Sequence, residues 1–284
     1  MKKYSLIIFI GLLIVLLSRF YSGGDVSTTR NIEVQESLYD KVIRTGKVEV
    51  GYIPYGVSFM KNPNTGEYSG IFYEIMEEVG KRLDLDIEYT YELGWGDMIK
   101  SLNNHKVDMV GIGIWPTSSR SKWVDFIDPT YYSSVKGYVR ENDMRFDGNL
   151  GNINNSNIII GTIDGEMNSV IAKNDFPKAQ INSLSQQSDI NQLLLDLVAE
   201  KSDVIFLEPS IALEFSVNNP STIKEIKNVK ILRKFPNSMM VNKGEFEFIS
   251  MVNNVLLEMV NEGMIDDIID KYEKYEGSFY RINN

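Results

Sequence analysis

The chain has 284 residues, 43% hydrophobic and 24% charged, a composition that suits a globular protein long enough for two domains. Asp+Glu 39 against Lys+Arg 29 leaves a net charge of −10, which argues against nucleic acid as a partner, because phosphate binding needs a basic footprint. No cysteine is present, which removes disulfides, thiolate metal sites, cysteine nucleophiles and a lipid-bearing cysteine, and the one histidine, His105 in the polar connection "LNNHKVD", gives no basis for a histidine-rich site; no metal and no cofactor is expected.

The N-terminus has its own logic. Lys2 and Lys3 precede the apolar run "LIIFIGLLIVLL" (6–17), the pattern of an export signal. Ser22-Gly23-Gly24 offers small residues for cleavage after Gly24. Tyr4 to Tyr21 is also just long enough to stay as a membrane anchor, and without a lipid-bearing cysteine that second reading has a purpose. Both readings place the remainder outside the cytoplasm, at the cell surface, in the periplasm or secreted. Residues 1–24 are thus a signal peptide or anchor, and 25–39 a tether.

Apolar spacing then predicts a short helix through Leu38, Val42 and Ile43 that ends at Gly46. "VEVGYI" reads as a strand and "KNPNTGEYSG" as a turn-rich loop. Ile71, Phe72, Ile75, Met76, Val79 and Leu83 are spaced for a helix. "LDIEYTYE" is a strand, "WGDMIKSLNN" a helix and "VDMVGIGI" a strand. The plan then repeats. "NIIIGTI" is a strand, Gly165 to Lys173 a helix, and "SDINQLLLDLVAE" a helix capped by Ser188 or Asp189. "SDVIFLE" is a strand and "PSIALEFSV" a helix. Two late helices, "GEFEFISMVNNVLLEMVNEG" and "MIDDIIDKYEKY", close the pattern. Alternating strands and helices predict an α/β layer with a parallel sheet.

Two segments match each other: "MIKSLNNHKVDMVGI" (98–112) and "LLLDLVAEKSDVIFL" (193–207). In this register Lys106 meets Lys201, Asp108 meets Asp203, and Gly113 and Glu208 fall at equivalent strand ends. Ligands of open α/β sheets bind beyond the carboxyl ends of strands. Arg120 and Glu208 each fall near such an edge, one per half. A cation and an anion across a cleft suit a zwitterion.

These landmarks, in order, carry a resemblance: "IRTGKVEVGY", "GEYSGIFYEIMEEVGKRLDLDIEY", "WGDMIKSLNNHKVDMVGIGIWPTSSRSKWVDFIDPTYY", "IIIGTIDGEMN", "LLLDLVAEKSDVIFLEP" and "NEGMIDDIIDKY". Over about residues 36 to 276 the chain resembles the family-3 extracellular solute-binding proteins, the amino-acid receptors of ABC importers. The resemblance implies an α/β, two-lobed, periplasmic-binding-protein-like (type II) fold with two hinge strands. Residues 40–134 and 242–276 would form the first lobe and 140–236 the second, with hinges at "SVKGYV" and "NSMMVNKG". It implies an extracytoplasmic binder, not an enzyme, with ABC permease subunits as partners and the membrane reached through the N-terminal segment.

Residue by residue, Arg120 matches the family arginine that grips a ligand carboxylate; a guanidinium meets a carboxylate with two parallel hydrogen bonds. Trp95 matches the covering aromatic, and Glu208 the second-lobe acid that takes the amino group. The chain also departs from the pattern. Gly113 and Trp115 stand where Ser or Thr is common, Met167 where Thr is common, and "YGVSF" from Tyr55 where the family often has "PPF". The expected pocket is therefore greasier and more aromatic, and a methylated ammonium is a variant it would suit.

Each of these residues also has a plainer reading. Arg120 fits a surface ion pair with Asp125 or Asp128, Trp95 and Trp115 fit core packing, and Glu208 before Pro209 fits a helix N-terminal acid. "DDIIDKYEKYE" reads as a solvated helix face, not a metal site. Two functional alternatives stay open: a cyclohexadienyl-dehydratase-like enzyme that uses Glu208 as a buried acid, and an anchored ligand sensor.

Overall fold

The computed structural model describes residues 36–274 and 278–282. The export segment 1–24 and the tether up to residue 35 lie outside the described residues, as do 275–276 of the span expected for the first lobe. Among the described residues no helix is long and apolar enough to cross a membrane.

Helix α1 (Leu38–Thr45) starts at Ser37, whose side chain accepts from Asp40 N, and ends where Gly46 turns to φ 68°. That left-handed turn is what glycine supplies without steric penalty. Strand β1 (Lys47–Tyr52) follows, then a small hairpin of β2 (Met60–Lys61) and β3 (Tyr68–Ser69), helix α2 (Ile71–Leu83), β4 (Asp86–Glu92), α3 (Met98–Asn103), β5 (Met109–Ile114) and β6 (Val124–Phe126). Strand β7 (Tyr131–Arg140) leads into the second lobe. There come β8 (Ile159–Ile163), α4 (Met167–Asp175), β9 (Gln180–Leu184), α5 (Ile190–Val198), β10 (Val204–Leu207), α6 (Pro209–Asn218) and β11 (Ile223–Glu225). Strand β12 (Arg233–Asn242) returns to the first lobe, followed by α7 (Phe246–Asn261), α8 (Met264–Tyr272) and β13 (Phe279–Tyr280).

The main sheet runs β4-β1-β5-β12-β7-β10-β8-β9. In the first lobe β1 lies parallel to β4 and β5; in the second, β8 lies parallel to β9 and β10. Between them β7 and β12 run antiparallel, with Tyr131–Val135 opposite Arg233–Asn237. The C-terminal half of each strand joins the lobe it enters: β7 through Lys136–Tyr138 to β10, and β12 through Ser238–Val241 to β5. Two crossing strands therefore connect the lobes, and they pair with each other at Tyr131–Val135 and Arg233–Asn237, a few residues ahead of the expected hinges 134–139 and 237–244.

Apolar periodicity decides which faces are buried. Ile71, Phe72, Ile75, Met76 and Val79 of α2 pack with Val48 and Val50 of β1 and with Phe248, Val252 and Met259 of α7. In the second lobe, Ile171 and Ala172 of α4 pack on Ile160 and Phe206, while Leu193, Leu194 and Leu197 of α5 pack on Ile163 and Ile205. Asp189 is the cap of α5, its side chain accepting from Asn191 N.

The internal match is a structural repeat. Asp108 accepts from Glu49 N at 2.9 Å and gives its own N–H to Glu49 O at 2.8 Å. Asp203 does the same with Ile159, at 2.9 and 2.7 Å. Lys106 N donates to Ser101 O and Lys201 N to Asp196 O, both at 2.9 Å. His105 and Glu200 occupy the same left-handed turn, at φ 52° and 61°. Each unit turns a helix into a strand by the same bonds.

Six strands fall outside the sequence expectations, two of them, β2 and β3, pairing with each other across the expected loop. β9, at the outer edge, is polar and alternates weakly, with Gln180, Ile181 and Ser183 exposed. β6, β11 and β13 are two or three residues long and exist through pairing with β7 or β12. Local pattern carries no signal for such partners.

Candidate functional site

Where the two lobes face each other lies a cavity of about 40 Å³. At roughly 10–15 Å³ per water, that is room for about three waters. Tyr55, Trp95, Gly113, Trp115, Arg120, Met167 and Glu208 all line it. The seven residues singled out in the sequence are thus brought together, and Glu166, Asn168, Ile163, Ile190, Phe206 and Leu207 join them. A larger outer groove of about 550 Å³ shares Tyr55 and Ile190 with this wall, so those two stand between the cavity and the groove.

Arg120 opens a short 3-10 turn after the Pro116–Ser119 break, its backbone N–H donating to Thr117 Oγ1 at 3.2 Å. The side chain does not point to solvent, and the residue is 8% exposed. One guanidinium nitrogen donates to the Trp115 carbonyl at 3.1 Å, and another to Glu166 Oε1 of the opposite lobe at 2.9 Å. Asp125, one of the two expected surface partners, is taken by Lys243 and by Gly244 N.

Glu166 was not anticipated. It precedes α4 as its N-cap residue, but its side chain makes no capping bond and turns to Arg120 instead. Gly165, at φ 80°, makes the turn that sends it there. The sequence signal was available: an acid directly after the glycine turn, in "TIDGEMN". Burial pushes the Glu166 carboxyl above its ordinary range, against the pull of Arg120. Asn168 plays a scaffold part, accepting from Ile163 N at 3.0 Å at the end of β8.

Glu208 leaves β10 and precedes Pro209 at the start of α6. It too makes no capping bond. It is 6% exposed, and its Oε1 accepts from Ser133 Oγ at 2.8 Å. Burial raises its carboxyl to about 7, while hydrogen bonds from Ser133 and Trp115 act the other way. Ser133 sits on crossing strand β7. Its oxygen accepts from Trp115 Nε1 at 3.2 Å and from Asn237 Nδ2, on the other crossing strand, at 2.9 Å. Neither Ser133 nor Asn237 was singled out by the sequence, because each is an ordinary polar residue in an apolar strand.

The aromatic walls combine packing and lining. Tyr55 meets Trp95 edge-on, with centroids 5.2 Å apart. Burial raises the Tyr55 phenol well above its ordinary range, and Glu208 and Glu166 add to that. Trp115 stacks on Phe235 of β12 at 4.5 Å. Both tryptophans are half-buried, so each packs against a core and borders the cavity. Gly113 has no room for a side chain: a Cβ there would sit 2.7 Å from Phe72 Cε2 and 2.9 Å from Asn237 Oδ1.

Residues 47–275 match the family model for bacterial extracellular solute-binding proteins, family 3. The probable histidine-binding protein of Campylobacter jejuni is 23% identical over 253 residues, which are 89% of this chain and 95% of that one. The L-cystine-binding protein TcyA of Bacillus subtilis is 24% identical over 282 residues, 96% of this chain and 97% of the relative. The crystal structure of the ancestral amino acid-binding protein AncCDT-1, a precursor of cyclohexadienyl dehydratase, has a similar fold. It superposes with a TM-score of 0.73 at 23% identity, covering 84% of this chain and 100% of that one.

Proposed function

The chain belongs to the bacterial extracellular solute-binding proteins, family 3, and from that premise we propose that its cleft captures an amino acid or a related zwitterion and delivers it to an ABC permease. One observation carries the reading. Arg120 from the first lobe and Glu208 from the second line the same interlobe cavity. A carboxylate would meet the Arg120 fork, and an ammonium the Glu208 carboxylate. Tyr55, Trp95, Trp115 and Met167 would cover the apolar part, and Gly113 would let Phe72 and Asn237 pack close against the strand end.

In this reading 40–134 with 242–276 moves as one lobe and 140–236 as the other, bending at β7 and β12. The cavity is too small for an amino acid as it stands, so capture requires the lobes to part and close again on the ligand. Contacts made with both lobes at once would drive that closure. The protein works outside the cytoplasm, and the apolar N-terminal run would keep it at the membrane, beside its permease.

Calorimetric titration of the full chain against a panel of amino acids tests the reading. Binding by the wild type that is lost in Arg120→Ala is expected. No binding to any amino acid, or equal binding by the variant, would sink it.

A second reading has one observation in its favour: a buried acid that titrates near 7, Glu208, borders the cavity. Such a group could protonate a leaving hydroxyl, as a cyclohexadienyl dehydratase requires. The binder is preferred because Glu166, the other acid on the wall, is tied to Arg120 and offers no free base. Incubation with prephenate or arogenate that gives no product would dispose of the enzyme.

A further inference from the structure

The charges on the cavity wall do not balance. Among the described residues lining it, Arg120 brings one positive charge and Glu166 and Glu208 bring two negative ones. Arg120 and Glu166 pair directly at 2.9 Å, so they cancel. Glu208 has the neutral hydroxyl of Ser133 as its partner. That hydroxyl must be the donor, since both its lone pairs are taken by Trp115 Nε1 and Asn237 Nδ2. When Glu208 is ionised, the wall thus carries one carboxylate with no cation beside it in a small enclosed space.

A neutral zwitterion does not repair this. If its carboxylate takes Arg120 and its ammonium takes Glu208, Glu166 is evicted and left buried without a cation. Removing one partner from a buried ion pair is strongly unfavourable. A ligand of net charge +1 leaves no carboxylate alone, and two kinds of molecule satisfy that. A simple ammonium without a carboxylate leaves Arg120 on Glu166 and sets its charge on Glu208. A dibasic amino acid sets its carboxylate on Arg120, its α-ammonium on Glu208 and its side-chain cation on Glu166. Tyr55, Trp95 and Trp115 also line the cavity, an aromatic surrounding that favours a cation in either case.

We propose that this cleft selects ligands carrying one net positive charge over neutral zwitterions, with Glu166 as the specificity-determining residue. The inference rests on the reading of this cleft as the ligand site and narrows its ligand class. Glu166 disfavours the neutral zwitterion because displacing it from Arg120 leaves it without a cation, which only a ligand with a second positive group can supply.

The test is calorimetric titration of the full chain with L-lysine and L-arginine, with choline and n-butylamine, and with L-glutamine and L-leucine. The wild type is expected to bind at least one monocation tenfold or more tightly than either neutral zwitterion. Binding of lysine or arginine identifies the dibasic source; binding of choline or butylamine identifies the carboxylate-free one. Glu166→Gln, nearly isosteric, is expected to shift the ratio at least tenfold toward the neutral zwitterions. Glu166→Asp, which keeps the charge, should preserve the monocation preference. Neutral zwitterions bound by the wild type as tightly as any monocation would overturn charge selection and leave the amino-acid reading standing. So would an unchanged ratio in Glu166→Gln. A wild type that binds none of the six probes overturns charge selection, and the amino-acid reading falls with it only if the full amino-acid panel also fails to bind.

Discussion

Ser133 Oγ donates to Glu208 Oε1 at 2.8 Å while accepting from Trp115 and Asn237, so one hydroxyl on a crossing strand ties together both strands, an aromatic wall and the buried acid. Ser133→Ala should therefore cost more than a surface hydroxyl. It strips one acceptor from two N–H donors and one donor from a carboxylate, an expected loss of about 1–3 kcal/mol by urea denaturation. The Glu208 carboxyl should also titrate higher, because a bond that favours its charged form is gone. An unchanged unfolding midpoint would mean that water takes over all three bonds.

Stability should fall as pH rises from about 4.5 to about 7. Glu208 is raised to about 7 by burial, from an ordinary value of 4.5. Between those values the folded chain holds a proton that the unfolded chain has released. Unfolding is thus favoured by raising pH through that window, and the contribution is flat on either side. The shift corresponds to about 3 kcal/mol. Glu208→Gln should remove that slope from thermal melts run across pH 4.5 to 7.5; a variant with the wild-type slope would assign it to other groups.

Ligand affinity should respond in the opposite sense. An ammonium on Glu208 requires the ionised carboxyl, so a cation should bind more tightly as pH rises toward about 7, by up to roughly tenfold per unit below that value. Titration in two buffers of different ionisation heat should show proton release near pH 6. No release would place the ligand cation away from Glu208.

Gly113→Ala tests the closeness of the strand end. The new methyl would press on Phe72 of α2 and on the Asn237 amide, which holds Ser133. Overpacking of this kind is expected to destabilise by about 1–3 kcal/mol, with loss of ligand binding beyond what stability explains. A variant with wild-type melting and affinity would show that Phe72 gives way freely.

The C-terminal strand deserves its own experiment. β13 lies beyond the family match, which ends at residue 275, and sets Phe279 opposite Ser133 and Tyr280 opposite Tyr132 of β7. Phe279 meets Tyr131 edge-on at 5.1 Å, Lys234 lies 3.6 Å over the Tyr280 ring, and Arg281 bonds to Glu273 at 2.9 Å. Phe279→Ala is expected to lower stability by about 3 kcal/mol. Amide exchange along Tyr131–Val135 should quicken with it; unchanged exchange there would mean the strand rests on the hinge without bracing it.

Much of this was written in local pattern. The long helices, the parallel strands and the repeat around Asp108 and Asp203 follow from apolar spacing and turn chemistry, and both lobes were legible from them. The seven cavity residues were also legible, because Arg120 and Glu208 stand at equivalent edges and the aromatics flank them. Glu166 and Ser133 were not. Glu166 has the position of a helix cap, and its partner is 46 residues away in the other lobe. Ser133 is one hydroxyl in a strand whose importance comes from three residues distant in sequence. β9, β11 and β13 failed for the same reason: their existence depends on who lies beside them.

The indoles carry a practical consequence. Of three tryptophans, Trp95 and Trp115 border the interlobe cavity from packed positions, while Trp123 is 58% exposed. Two of the chain's three strongest fluorophores therefore sit where the lobes meet, and the third reports on bulk solvent. Replacing Trp123 with Phe would leave a protein whose ultraviolet emission comes from the cleft walls, so that every opening and every occupant could be followed by its own light, without a dye.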